Sequence, residues 1–225
     1  MISSRDWSQK KLGYKFGNDE LLDLALTHKS FSSRNNERLE FLGDSVLGFV
    51  IAEALYRQES EVAEGGLTRL RASLVRGETL ALIALDIDLS TVMHLGAGEK
   101  RSGSHQRQSI LADGLEAVLG AILIDGGFEA TKAVILRLFE PRLASLPALE
   151  ALKDSKTLLQ EALQARALPT PVYEVVQEEG PPHARKFDVS CCIAACSIYT
   201  SGDGSSRRAA EQEAAAKALL MLADE

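Results

Sequence analysis

The stretch ILADGLEAVLGAILIDGG, residues 110–127, is apolar at almost every position, and its only charges before Asp125 are Asp113 and Glu116. A helix of this composition is buried on most of its circumference, so other elements must surround it. Its two carboxylates are three residues apart and share one face. Ionised carboxylates buried without partners are expensive, so these two must be paired, protonated or bound to a cation.

A second acidic stripe lies in ERLEFLGDSVL, residues 37–47, where Glu37, Glu40 and Asp44 are spaced three and four apart. Like charges at these spacings destabilise a helix by roughly 0.2–0.5 kcal/mol per pair, so a compensating partner is expected, and a bound cation is one candidate. Gly43 in the same helix costs up to about 1 kcal/mol relative to Ala, which points to close packing against another backbone. If the two stripes meet, oxygens of Glu40, Asp44, Asp113 and Glu116 converge with no His or Cys among them. That donor set suits Mg²⁺, or Mn²⁺ in its place, rather than zinc. Spacing alone leaves a second arrangement open, in which Asp113 and Glu116 complement a helix N-terminus and the first trio faces water.

Other chemistries find less support. A di-iron helical bundle uses Glu-x-x-His pairs, and none occurs. His28, His94, His105 and His183 lie in separate segments without metal-ligand spacing, and no Gly-x-Ser-x-Gly elbow is present. Cys191, Cys192 and Cys196 are an odd number within six residues, which suits neither a disulfide framework nor a zinc site and reads as reduced thiols. The N-terminal MISSRDWSQKK has no apolar signal segment, and no apolar run approaches the roughly 18 residues of a membrane span, so a cytoplasmic protein without a membrane partner is expected. The net charge of −7 confines any nucleic-acid site to a local patch.

Residues 5–143 read as successive helices with apolar positions near period 3.6, over 19–28, 36–58, 65–89, 107–127 and 128–146. Pro147 and the small residues of ASLPALEALK break this pattern, which places a helical domain at 5–145, a linker at 146–153 and a second domain at 154–225. In the second domain DSKTLLQEALQARAL is helical with Asp154 or Ser155 as N-cap. PVYEVVQ, KFDVSCCI and CSIYTS are β-rich, and SRRAAEQEAAAKALLML closes as an Ala-rich helix. The expected fold is thus an all-α domain followed by a small α+β domain of order α-β-β-β-α, both helices on one face of a three-stranded sheet, with a turn at Ala194-Ala195.

LTHKSF at 26–31, NERLEFLGDSVL at 36–47, EGGLTRLRASLV at 64–75 and SILADGLEAVLGAI at 109–122 together resemble the bacterial ribonuclease III family. The resemblance implies a helical endonuclease domain that forms a homodimer and cleaves double-stranded RNA with a divalent metal. By motif position Glu40, Asp44, Asp113 and Glu116 would hold the metal, with Asp44 and Glu116 the catalytic members. Glu37, Glu64 and His28 would contact substrate. A carboxylate-held Mg²⁺ pair lowers the pKa of a water and neutralises charge on the leaving oxygen, so no histidine base is required. Products with 5′-phosphate and 3′-hydroxyl ends follow from the resemblance. Two sites in a symmetric dimer would cut both strands at a fixed stagger.

In the second domain, SGDGSSRRAAEQEAA puts Arg207 and Arg208 in the first turn of a helix, where cations oppose the macrodipole. Exposed N–H groups there favour an anion and two arginines strengthen the field, which together make a phosphate site. Thr157, Gln160, Glu161 and Gln164 form a polar stripe opposite Leu158, Leu159, Ala162 and Leu163, and such groups suit the 2′-hydroxyls and base edges of a shallow RNA minor groove. KTLLQEAL, PVYEV, EEGPPHARKF and GDGSSRRAAEQEAA resemble the double-stranded-RNA-binding domain. The resemblance carries RNA contact to Thr157, Gln160, Glu161, His183, Arg207 and Arg208, while Ala209 stands where a third basic residue is expected. The whole reads as an endoribonuclease specific for double-stranded RNA, with a role in maturing rRNA and mRNA precursors. The alternative is a regulator that holds such RNA without cutting it.

Overall fold

The computed structural model describes residues 3–101, 107–181 and 184–223. Two compact units result, Met1–Leu149 and Glu150–Glu225.

In the first unit the helices are α1 (Ser4–Trp7), α2 (Asp19–Ala25), α3 (Glu37–Gln58), α4 (Glu64–Val75), α5 (Gly77–Asp86), α6 (Ala97–Arg101) and α7 (Gln108–Leu143). The core is built on α3 against α7. Leu39, Gly43, Val46, Leu47, Val50, Ile51 and Leu55 recur at three- and four-residue spacings along α3 and are buried, as are Leu111, Leu115, Val118, Leu119 and Ile122 of α7. The opposite face of α3 leaves Phe41 77% exposed and also exposes Phe49 and Tyr56.

Two glycines set how closely these helices cross. A Cβ on Gly43 would lie 1.8 Å from the Glu116 carbonyl oxygen, and one on Gly120 would lie 2.1 Å from the Leu39 carbonyl oxygen. The close approach expected of Gly43 is therefore real, and its backbone neighbour is the very residue that carries one of the acidic side chains.

One helix boundary differs from the periodicity and another follows it. The helix expected over 65–89 breaks at Arg76, whose extended ψ of 149° interrupts the ladder before Gly77 opens α5. The break lets Leu80 and Ile83 turn into the core, and an apolar pattern that stays in phase across a one-residue kink hides it from the sequence. The helices expected on either side of residue 127 do part there: α7 runs from Gln108 to Leu143 but kinks at Gly127, whose non-helical φ of 79° costs little without a Cβ. Just before that kink Asp125 accepts hydrogen bonds from the Tyr14 hydroxyl at 2.7 Å and from the Gly17 and Asn18 amides, both at 2.9 Å. It ties the N-terminal segment to α7.

In the second unit α8 (Ser155–Ala165) and α9 (Arg207–Ala223) cover one face of an antiparallel sheet ordered β1 (Val172–Glu179), β2 (Lys186–Ile193) and β3 (Ile198–Gly204). Leu159, Leu163, Cys191, Ile193, Ile198, Ala214, Ala218 and Leu222 form the core. The alanines of α9 let it lie against β3 at backbone distance, since a Cβ on Gly202 would fall 2.3 Å from the Ala214 nitrogen. Asp154 caps α8 by accepting from the Thr157 amide at 2.8 Å. Pairing of Ile193 with Ile198 makes the β2–β3 connection four residues long rather than the two-residue turn expected at Ala194-Ala195. A 3₁₀ turn over Ala194–Cys196 is closed by Ser197 in the left-handed region, which removes the need for Gly or Asn at the alanines. The three cysteines are free thiols. Among the described residues no helix is long and apolar enough to cross a membrane.

Candidate active site and RNA-binding face

The helix crossing decides which carboxylates meet. Glu40 on α3 and Asp113 and Glu116 on α7 each offer an oxygen, and the three atoms lie within 4.8 Å of one another. All three side chains are half-buried. Because α7 begins at Gln108, Asp113 and Glu116 lie beyond its first turn, so the helix-terminus arrangement is not the one adopted.

Asp44, expected as a fourth member, falls outside this group and is exposed. It sits one turn along α3 from Glu40, on the far side of Gly43, yet its charge still reaches Glu116. Burial, then the negative charges of Asp44, Glu40 and Asp113, push the Glu116 carboxyl up to about 8. Burial followed by Asp113 raises Glu40, and burial raises Asp113. Three desolvated carboxylates that resist ionising together form an all-oxygen donor set in need of positive charge, which fits a hard divalent cation.

Protein cations border the cluster from the loop before α3. Lys29 Nζ lies 3.1 Å from Glu37 Oε1, an ion pair that holds Glu37 below the usual carboxylate range. Lys29 and His28 both act on Asp113 to lower its pKa, so this loop flanks the acidic group. His28 Nδ1 is 2.8 Å from the Ser30 hydroxyl. Sequence reasoning passed over Lys29, although it stands beside His28 in LTHKSF. Glu64 is not brought to the cluster: at the start of α4 it accepts from the Thr68 hydroxyl at 2.8 Å and lines a separate concavity with Phe49, Tyr56 and Arg71.

In the second unit Gln160 and Glu161 are exposed on α8, Thr157 is half-buried, and Leu159 and Leu163 are buried opposite them. Glu161 pairs with Lys153 at 2.6 Å. The two arginines are less solitary than their sequence context implies. Arg207 Nε donates to Glu211 at 2.9 Å, and Arg208 lies 3.9 Å from Asp154. One shallow concavity brings Thr157, Gln160 and Arg208 together, so α8 and the start of α9 form one face. His183, expected to touch RNA, lies outside the described residues.

A helical unit with clustered carboxylates at a glycine-mediated crossing is thus followed by an α-β-β-β-α unit that exposes polar and charged side chains on one face. Residues 18–143 match the Ribonuclease-III-like family and residues 155–222 the double-stranded RNA binding motif. Ribonuclease 3 of Hahella chejuensis is 55% identical over 222 residues, covering 99% of this chain and 98% of that one. Ribonuclease 3 of Azotobacter vinelandii is 51% identical over 222 residues, covering 99% and 97%. A solved nuclease domain of ribonuclease III from Campylobacter jejuni, described as flexible in a region involved in dimer formation, superposes with a TM-score of 0.61 at 43% identity, covering 62% of this chain and 99% of that one. The chain belongs to the ribonuclease III family.

Proposed function

We propose that this protein is a metal-dependent endoribonuclease that hydrolyses phosphodiester bonds in double-stranded RNA. The observation that carries the reading is the convergence of Glu40, Asp113 and Glu116 at one helix crossing in a chain that also bears the double-stranded RNA binding motif. Glu40, Asp44, Asp113 and Glu116 would hold Mg²⁺, with Mn²⁺ as a substitute, and Asp44 and Glu116 would be the catalytic members. Bound there, the cation supplies charge neutralisation at the scissile phosphate and a lowered pKa for the attacking water. The carboxylates would fix its place, and because Glu116 is pushed up to about 8, cation binding there would expel a proton. Asp44 is supported by its charge acting on Glu116 and by its place one turn from Glu40.

His28, Glu37 and Glu64 contact substrate from the helical unit, 5–145. Past a linker at 146–153, the unit at 154–225 grips the duplex through Thr157, Gln160, Glu161, His183, Arg207 and Arg208. The protein works in the cytoplasm as a homodimer. The self-complementary face is the exposed side of α3, where Phe41 lines a cavity with Leu21, Leu24, Leu42 and Ile124 that is bordered by Arg34, Glu37 and Arg38. Two sites then cut both strands, leaving 5′-phosphate and 3′-hydroxyl ends on precursor rRNA and mRNA.

The test is incubation with a labelled RNA duplex of about 30 bp, long enough to exceed one binding-domain footprint. Cleavage in Mg²⁺, absent in EDTA and absent on single-stranded RNA or duplex DNA, is expected. Binding without cleavage in both Mg²⁺ and Mn²⁺ would refute the nuclease reading and leave the non-cleaving regulator.

A further inference from the structure

Glu211 on α9 is 11% exposed at its side chain and divides its two oxygens between two cations. Lys156 Nζ lies 2.6 Å from Oε2, and Arg207 Nε lies 2.9 Å from Oε1. Lys156 is itself held over the Tyr173 ring, 4.4 Å from its centroid, and its backbone amide donates to the Gln212 side chain at 3.1 Å. The carboxylate is kept below its usual range by these two partners against the effect of burial. Arg207 remains 63% exposed.

A buried carboxylate beside an anion-binding arginine is a local conflict, since it repels the ligand the arginine attracts. The geometry resolves it. Glu211 engages Arg207 through Nε, the inner nitrogen of the guanidinium, and Lys156 offsets the added negative charge, so two cations stand against one anion.

Resting on the reading of Arg207 as a phosphate contact, we propose that Glu211 is a positioning residue for RNA binding. It fixes the Arg207 fork so that its terminal nitrogens meet a backbone phosphate, and Lys156 is the counter-charge that keeps the trio net positive. A planar guanidinium held at one nitrogen loses less rotamer freedom when its other nitrogens engage phosphate.

The experiment measures the affinity of the full-length protein for a duplex of about 30 bp in EDTA, where cleavage is blocked, together with kcat and KM in Mg²⁺. Arg207→Gln, Glu211→Gln and Lys156→Met are compared, the last keeping an unbranched apolar stem against Tyr173. Charge counting alone says that removing Glu211 tightens binding to a polyanion. Positioning says the reverse: Glu211→Gln weakens binding roughly three- to tenfold and raises KM with kcat unchanged. Lys156→Met also weakens binding, because Glu211 then neutralises Arg207.

Binding by Glu211→Gln that equals or exceeds wild type overturns the proposal. If Glu211→Gln fails to fold, Lys156→Met decides, and unchanged affinity there overturns it. Weakening by Arg207→Gln with both other variants unchanged defeats the positioning role alone. No effect of Arg207→Gln defeats the phosphate contact and the inference together.

Discussion

Replacing Gly43 by Ala tests whether the helix crossing builds the acidic site. The new Cβ would lie 1.8 Å from the Glu116 carbonyl oxygen, whereas real Cβ atoms essentially never come within 3.0 Å of another group, so α3 and α7 must part locally by at least 1.2 Å. Overpacking of this kind costs about 1–3 kcal/mol, while Ala in place of Gly inside a helix returns up to about 1 kcal/mol. With the full offset the net is a loss of up to about 2 kcal/mol, or a fall in Tm of up to roughly 8 °C for a unit of this size. Gly48 provides the matched control: it lies in the same helix with nothing within 4 Å of a built Cβ, so Gly48→Ala is expected to be neutral or stabilising by up to about 1 kcal/mol. Urea unfolding of both variants reads the stability. Because a misplacement of about 1 Å in a catalytic group can cost roughly 100-fold, cleavage of duplex RNA by Gly43→Ala should drop far more than its stability. A Gly43→Ala protein as stable and as active as wild type would refute the close crossing and its role in assembling Glu40 with Glu116.

Glu116→Gln is expected to abolish Mg²⁺-dependent cleavage while leaving duplex binding in EDTA intact, and retained turnover would sink the assignment. The same variant has a pH signature in the metal-free protein. The folded-state pKa of Glu116 is raised from 4.5 to about 8, so this group's contribution to stability is lost as pH climbs through that window. Denaturation midpoints of wild type should therefore fall between those limits, and Glu116→Gln should flatten that fall. Asp125 behaves oppositely. Burial works to raise its pKa, but bonds from Gly17, Tyr14 and Asn18 outweigh it and hold it below 3.8, so its contribution is present at neutral pH and lost as pH falls through the folded value. Asp125→Asn should cost about 1–2 kcal/mol at pH 7 by weakening those bonds, and an unchanged urea midpoint would contradict it. Arg207→Ala combined with Arg208→Ala should weaken duplex binding and reduce the salt slope by about one for each phosphate that is no longer neutralised, read from affinities across a salt series.

The chain's local chemistry determined its element types and their order. Period-3.6 apolar runs marked the helices, β-branched and aromatic runs marked the three strands, and Pro147 with its small neighbours marked the change of pattern between them. Asp154 was legible as a cap because its short side chain can reach back to an amide two or three residues on. The acidic pairs Glu40 with Asp44 and Asp113 with Glu116 were legible as faces, because three- and four-residue spacings align side chains along a helix.

Only the tertiary structure decided which faces meet. The register of α3 on α7 depends on Gly43 and Gly120 admitting the carbonyls of Glu116 and Leu39, which are far away in sequence. That register brings Glu40, Asp113 and Glu116 within 4.8 Å while leaving Asp44 just outside and Glu37 with Lys29. The break at Arg76 escaped sequence reading because any residue adopts its extended φ of −67° and ψ of 149°, and Ser197 escaped it because a non-glycine residue can take the left-handed region when surrounding packing repays the strain. The Glu211 bridge escaped it too, since Lys156 lies 55 residues from Glu211. Spacing along the chain reveals neighbours on one element, but contacts between elements follow from how closely their backbones pack.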